Sequence, residues 1–140
     1  MTLRPAMLED AAAISAIHRL AAFLPPPHTA EENLRFVRER LMRENQTWVA
    51  EAGGEVVGYI AFSDDWVRHL FVHPDHQGQG HGSALLAHAM ADQRQRQLWT
   101  FQTNAPARTF YEHRGWVQAE LTDGQENEEQ EPEVRYVSRP

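Results

Sequence analysis

Three glycines at alternate positions, Gly78, Gly80 and Gly82, fill the stretch His73-Pro74-Asp75-His76-Gln77-Gly78-Gln79-Gly80-His81-Gly82-Ser83. The apolar run Leu70-Phe71-Val72 stands directly before it, and Leu85, Leu86, Ala89 and Met90 recur after it at the spacing of one helix face. A buried strand must therefore turn into a helix within a few residues. Glycine permits the left-handed backbone angles that such a turn needs. The turn gathers several backbone N–H groups and the positive end of a helix dipole at one point, which favours an anion. Without Cβ atoms in the way, those amides can be approached closely.

The elements around this turn follow from periodicity. Residues 2–4 read as a short edge strand, and Ile14, Ile17, His18 and Ala21 place a helix over residues 11–22. Pro25-Pro26-Pro27 forbids its continuation, while Thr29 followed by Glu31 and Glu32 starts a second helix through Leu34, Val37, Arg38 and Leu41. Strands over residues 47–51 and 55–62 flank the hairpin signal Gly53-Gly54. Asp64-Asp65 turns the chain into a strand over 66–72, whose apolar end predicts a central position buried on both faces. A helix over 82–95 and a strand over 98–103 then make a crossover, hence parallel pairing. Gly115 stops a helix over 105–114, and strands over 116–121 and 134–137 flank an acidic loop. This order predicts an α/β fold, a twisted mixed sheet with helices on both faces. At 140 residues and 41% hydrophobic composition, one domain over residues 1–140 accounts for the whole chain.

Charge and composition narrow the function. A net charge of -7, from 20 acidic and 13 basic residues, gives no field to hold a nucleic acid backbone. The absence of cysteine removes disulfides, thiolate metal sites and thiol nucleophiles. No apolar run approaches the roughly 20 residues of a membrane helix, and no signal-peptide stretch follows Met1, so no membrane association and a cytoplasmic location are expected. His73, His76 and His81 span a proline-containing turn without regular ligand spacing, so no metal is expected. A P-loop would need a lysine before Ser83, and a dinucleotide fingerprint would need glycine at Ser83 and an acid where Gln102 stands.

With those excluded, the stretch resembles the acyl-coenzyme A signature Gln/Arg-x-x-Gly-x-Gly/Ala of the GNAT superfamily of N-acetyltransferases, met by Gln77, Gly80 and Gly82. A second segment, Asn104-Ala105-Pro106-Ala107-Arg108-Thr109-Phe110-Tyr111-Glu112-His113-Arg114-Gly115-Trp116, is similar to the family's Asn-x-x-Ala-x-x-Phe-Tyr-x-x-x-Gly-Phe pattern, with Trp116 for phenylalanine. The opening Arg4-Pro5-Ala6 and the hairpin strand over residues 55–60 also look like members of that family. The resemblance implies acetyl-coenzyme A, or coenzyme A, as co-substrate. Its diphosphate would lie on Gln77, Gly78, Gln79, Gly80, His81, Gly82 and Ser83. Its pantetheine arm would lie by Asn104, Ala107, Arg108, Phe110 and Tyr111, with Phe110 turned to the core.

It further implies direct acetyl transfer to a primary amine of a small molecule or peptide. A backbone N–H near Leu70, Phe71 and Val72 would hold the thioester oxygen where two strands splay apart. Tyr111 would stabilise the departing thiolate. The family's frequent glutamate base is not evident, which leaves Asp64, Asp65 and His69 as candidates to take the amine proton. Phe23, Leu24 and His28, between the opening helices, and Glu126, Glu128 and Glu129, in the acidic loop, are candidates for acceptor binding. Monomer and homodimer are both compatible with the chain. A non-catalytic acyl-coenzyme A sensor would keep the glycine turn and need neither Tyr111 nor a base.

Overall fold

Gly53 and Gly54 adopt left-handed φ angles of +61° and +81°, which closes a tight hairpin and sets the register of a four-stranded antiparallel sheet. The computed structural model describes residues 1–139, in two compact units made of residues 1–63 with 67–92, and of residues 64–66 with 93 onward. In the first unit β1 (Thr2–Pro5), β2 (Gln46–Ala52), β3 (Glu55–Phe62) and β4 (Val67–Val72) pair in that order. Leu3 lies opposite Ala50, Trp48 opposite Ile60, and Ile60 opposite Leu70.

Pleating sends Val49, Tyr59, Ala61 and Phe71 to one face of this sheet, against Ala11, Ile14 and Ile17 of α1 (Ala11–Ala21). Val37 and Leu41 join them from a π-helical segment (Val37–Leu41) that extends α2 (Ala30–Phe36) into the short turn α3 (Met42–Glu44). On the opposite face, Leu85 of α4 (His81–Ala89) packs over Gly58, and His88 stacks on Trp48 at 3.9 Å. The start of α2 is fixed as its sequence predicts. Thr29 Oγ1 accepts from the Glu32 amide at 3.1 Å, while Glu32 Oε1 accepts from the Thr29 amide at 2.8 Å.

The second unit holds β5 (Gln97–Phe101), α5 (Ala105–Glu112), β6 (Val117–Leu121) and β7 (Glu133–Val137), with strand order β5-β7-β6. The last strand inserts between the other two. Val134 and Tyr136 of β7 are fully buried, whereas β6 is exposed along its length. Among the described residues no helix is long and apolar enough to cross a membrane.

Two expectations change. The strand over 66–72 is not central in its sheet: β4 ends the four-stranded order, and Leu70, Phe71 and Val72 are half-buried. Its apolar continuity comes from helices on both faces. Parallel pairing with the next strand is reduced to a single bridge, Trp66 with Gln97, which includes the Gln97 amide donating to the Asp65 carbonyl at 2.9 Å. The helix predicted to reach residue 95 stops at Ala89, followed by a tight turn over Met90–Asp92, and Gln93 leaves it with a left-handed φ of 62°.

Arg4 ties β1 to the start of α1. Its two terminal nitrogens donate to Asp10 Oδ2 at 2.7 Å and Oδ1 at 2.8 Å, and the Met7 amide donates to Oδ2 at 2.7 Å. The guanidinium holds the Asp10 carboxyl below its usual range, against the opposing effect of burial. Because the folded carboxyl is the stronger acid, its contribution is complete above about pH 4 and is lost as the pH falls through the folded value. Asp10→Asn should cost about 1–3 kcal/mol at pH 7, below the range for a fully buried pair because Arg4 is partly exposed. The deficit, read from denaturant titrations, should shrink as the pH falls below about 4, the ordinary carboxylate value.

Candidate functional site

β4 delivers the chain into the glycine turn. Gln77 donates from Nε2 to the Val72 carbonyl at 3.1 Å, and the Asp75 amide donates to His73 Nδ1 at 3.1 Å, which fixes the segment between strand and helix. Gly80 occupies the N-cap position of α4 with φ +87°, a left-handed conformation that other side chains rarely adopt. Gly78 is left-handed as well, and a Cβ at either position would meet nothing within 4 Å. The first amides of α4 have no intrahelical acceptor, since the ladder opens with the Ala84 amide donating to the Gly80 carbonyl at 3.0 Å. Open space thus lies over a helix N-terminus.

His81, the first residue of α4, is buried, with Nε2 3.3 Å from Gln79 Oε1, while its Nδ1 makes no hydrogen bond among the described residues. The open amide turn suits a phosphate-bearing ligand, whereas His81 Nδ1, an acceptor once Nε2 donates to Gln79, adds no donor to it. Among the described residues no group of three or more His, Asp or Glu side chains is arranged to hold a metal ion.

A second cluster occupies the other face of the same sheet. His69 of β4 lies 4.7 Å, ring centre to ring centre, from His18 of α1, 5.4 Å from Phe71, 5.9 Å from Tyr59 and 6.0 Å from Phe36 of α2. The Tyr59 hydroxyl and His69 Nδ1 are hydrogen-bonded at 2.8 Å. Asn33 donates to Ser15 Oγ at 2.7 Å, so its Oδ1 accepts from His18 Nδ1 at 3.0 Å. Burial first, and His18 second, push His69 down to about 3, so the ring is neutral at physiological pH.

The sequence singles out His69 but not this company. His18 stands on the apolar stripe of the first helix, and a histidine on a buried stripe is the available signal. Asn33, Phe36 and Tyr59 carry none beyond their elements. Of the arm residues, Phe23 is exposed and Leu24 half-buried, and the His28 carbonyl accepts from Arg19 at 2.7 Å.

In the second unit Asn104 Oδ1 accepts from the Ala107 amide at 3.3 Å and caps α5. Tyr111 is buried, its ring 5.1 Å from Phe110, 5.7 Å from Trp116 and 6.3 Å from Tyr136, and burial pushes its phenol well up. Phe110 does not enter the core: it is half-buried, with the Arg114 guanidinium 3.8 Å from its ring centre, because Tyr111 takes the inward position. Arg108 turns inward too. It donates to the Tyr136 hydroxyl, the Gln102 carbonyl and Gln118 Oε1, each at 3.0 Å, while the Tyr136 hydroxyl donates to Glu112. The candidate Asp65 is exposed, 3.9 Å from Arg94, as is Asp64.

The acidic loop is a folded structure. Asn127 donates to the Glu131 carbonyl at 2.7 Å and to Glu133 Oε1 at 3.0 Å, and Gln130 donates to the Asn127 carbonyl at 2.8 Å. A Cβ at Gly124 would stand 2.3 Å from the Glu131 backbone. Glu126, Glu128 and Glu129 are exposed on its surface.

Residues 43–118 match the family model of the acetyltransferase (GNAT) domain. The chain belongs to the GNAT acetyltransferase family. It is 31% identical to the L-amino acid N-acyltransferase MnaT of Escherichia coli, over 67% of this chain and 63% of that protein, so it spans less than two thirds of that relative's length. It is also 31% identical to an uncharacterised N-acetyltransferase of Archaeoglobus fulgidus, over 57% of this chain and 72% of that one. The structure of the acetyltransferase yncA from Salmonella typhimurium with its cofactor acetyl-CoA shares the fold, with a TM-score of 0.76 and 22% identity, covering 99% of this chain and 93% of that one.

One property of this GNAT member follows from its ring cluster. A histidine held down in the folded state binds fewer protons than the unfolded chain between about pH 3 and the ordinary value of about 6.5. Stability should therefore fall as the pH drops through that window, with a slope from this group of at most about 1.4 kcal/mol per unit. Denaturant titrations of His69→Gln should lack this part of the acid slope.

Proposed function

We propose that the chain moves an acetyl group from acetyl-coenzyme A to a primary amine, with residues 1–140 acting as one catalytic domain. The observation that carries this reading is the β4-to-α4 turn, where left-handed glycines leave open space over unpaired amides. The names of the relatives support it, and the fold shared with an acetyl-CoA-bound protein is consistent with it. Gln77, Gly78, Gln79, Gly80, His81, Gly82 and Ser83 would hold the diphosphate. When bound, acetyl-coenzyme A supplies a thioester whose carbon bonds to the amine nitrogen as its C–S bond breaks, with the amine losing a proton and the sulfur leaving as thiol.

The chain's own groups have matching tasks. β4 ends its sheet, so half of its main-chain groups lack a ladder partner there, and an N–H among Leu70, Phe71 and Val72 is available to a developing oxyanion. Tyr111 keeps its proton because burial raises its phenol, so its hydroxyl is a hydrogen-bond donor to a departing thiolate rather than an acid that protonates it. Asn104 and Ala107, at the start of α5, would contact the pantetheine arm as the family resemblance implies, and Arg108 and Phe110 would support the surroundings of Tyr111. Phe23, Leu24, His28 and the neutral His69 belong to the acceptor side. Asp65, and Glu126, Glu128 and Glu129 on the loop, offer exposed carboxylates that attract an ammonium ion.

Thiol release from acetyl-coenzyme A in the presence of an amine panel tests the reaction. Tyr111→Phe should lower kcat by about 10²–10³-fold, the scale of one lost donor to developing charge, and leave coenzyme A affinity within about twofold. Unchanged turnover would remove the role. Gly80→Val should weaken coenzyme A binding in calorimetry at least tenfold, by about 1.4 kcal/mol, because a side chain at a left-handed position distorts the amide turn. Tight binding without thiol release from any amine would identify a sensor instead.

A further inference from the structure

The ring cluster on the arm face of β4 has a chemistry of its own. His18, Phe36, Tyr59, His69 and Phe71 stand with ring centres 4.7–6.0 Å apart, drawn from α1, α2, β3 and β4. The hydrogen bonds of Tyr59 to His69 and of His18 to Asn33 hold both imidazoles in place. Burial and His18 from α1 act on the protonation of His69; Tyr59 from β3 and Phe36 from α2 bring no charge to it, and among the described residues no carboxylate offsets the penalty. The cluster reaches the surface at Phe36, which is 36% exposed, and Phe23 on the linker between α1 and α2 is 43% exposed.

Such a surface offers an apolar wall and one neutral imidazole. It accommodates an aliphatic or aromatic side chain by burial of apolar area, and it can hydrogen-bond an uncharged nitrogen. The desolvation that keeps His69 neutral weighs equally on an ammonium ion brought against it. An acceptor used here must therefore surrender its proton without help from a strong base. An α-amino group, with an ordinary value near 7.7–8.0, is about one tenth unprotonated at pH 7, whereas a lysine ε-amine near 10.4 is less than about one part in a thousand.

We propose that the acceptor is a free α-amino group next to an apolar or aromatic side chain, seated with that side chain against Phe36 and its nitrogen hydrogen-bonded to His69. This rests on the transferase reading and names its substrate class. Amino acid amides and the N-terminal residue of a peptide share the chemistry. Phe36 is then a specificity residue, and His69 orients the nitrogen in its neutral form.

The test measures thiol release by the full chain with phenylalaninamide, glycinamide, the tripeptide Phe-Ala-Ala, Nα-acetyl-lysinamide and spermidine. At pH 7, kcat/KM for at least one of the two phenylalanine substrates should exceed that for the ε-amine and the polyamine at least about tenfold, and the ε-amine should gain ground between pH 7 and pH 9 as its unprotonated fraction grows. The relative rates of phenylalaninamide and Phe-Ala-Ala separate a small-molecule from a peptide acceptor. Phe36→Ala should raise KM for phenylalaninamide severalfold, leave kcat within about twofold, and narrow the preference over glycinamide. Equal or better use of the ε-amine or spermidine at pH 7 overturns the proposal in the wild-type chain, without reference to any variant. An unchanged phenylalanine preference in Phe36→Ala overturns the seat assigned to the side chain. Thiol release with none of the amines overturns the transferase reading and this inference with it.

Discussion

The period of two along β4 is the constraint on which the first unit depends. Six residues, Val67–Val72, form a strand whose alternate side chains must face opposite ways. His69 and Phe71 go to the face of α1 and α2, where the aromatic cluster forms, and Leu70 and Val72 go to the face of α4. A shift of one residue in the pairing with β3 would exchange the two sets. The bulge between Ala61 and Phe62 absorbs a register change at the start of β4, so the pairing from His69 onward stays regular up to the turn. The same strand then ends directly in the glycine turn, with only about 10 Å of extended chain between His69 and Val72.

Burial without countercharge distinguishes the ring cluster from the other polar networks of the molecule. Asp10 is surrounded by donors, with Arg4 on both oxygens, and stays ionised. Arg108 is matched by a carbonyl, an amide oxygen and a phenol, and the same phenol reaches Glu112. Among the described residues His69 meets a phenol and a second imidazole and no anion, so protonation of its ring is disfavoured. One fold thus fixes charge where structure needs it and withholds charge on the face where an amine would be received.

Period and punctuation in the amino-acid sequence place most of the elements. Thr29, Gly53-Gly54, Asn104 and Gly115 each act locally, through a cap or a left-handed angle, and local rules suffice to read them. Strand order is not local. A continuous apolar strand reads as central whether it is covered by neighbouring strands or by helices on both faces, and β4 is the second case. Phe110 and Tyr111 show the same limit at the scale of a side chain, since helical spacing places adjacent residues about 100° apart but does not say which one points inward. The aromatic cluster joins four elements distant in sequence, so no local pattern marks it, and only the histidine on the stripe of α1 hints at it.

The acidic loop shows why composition alone misjudges a charged segment. A run of glutamates between two strands suggests solvated, mobile chain, whose charges would average over a wide volume. Here Asn127 and Gln130 bind the loop's own carbonyls, and the Gly124 backbone lies so close to Glu131 that no side chain fits between them. Burial raises the Glu133 carboxyl at the loop's base, despite the donor supplied by Asn127. Glu126, Glu128 and Glu129 are therefore exposed charges on a fixed frame. Charges so held sum to a directed field, and with a screening length near 8 Å at physiological salt that field acts locally and not on the molecule's whole surroundings.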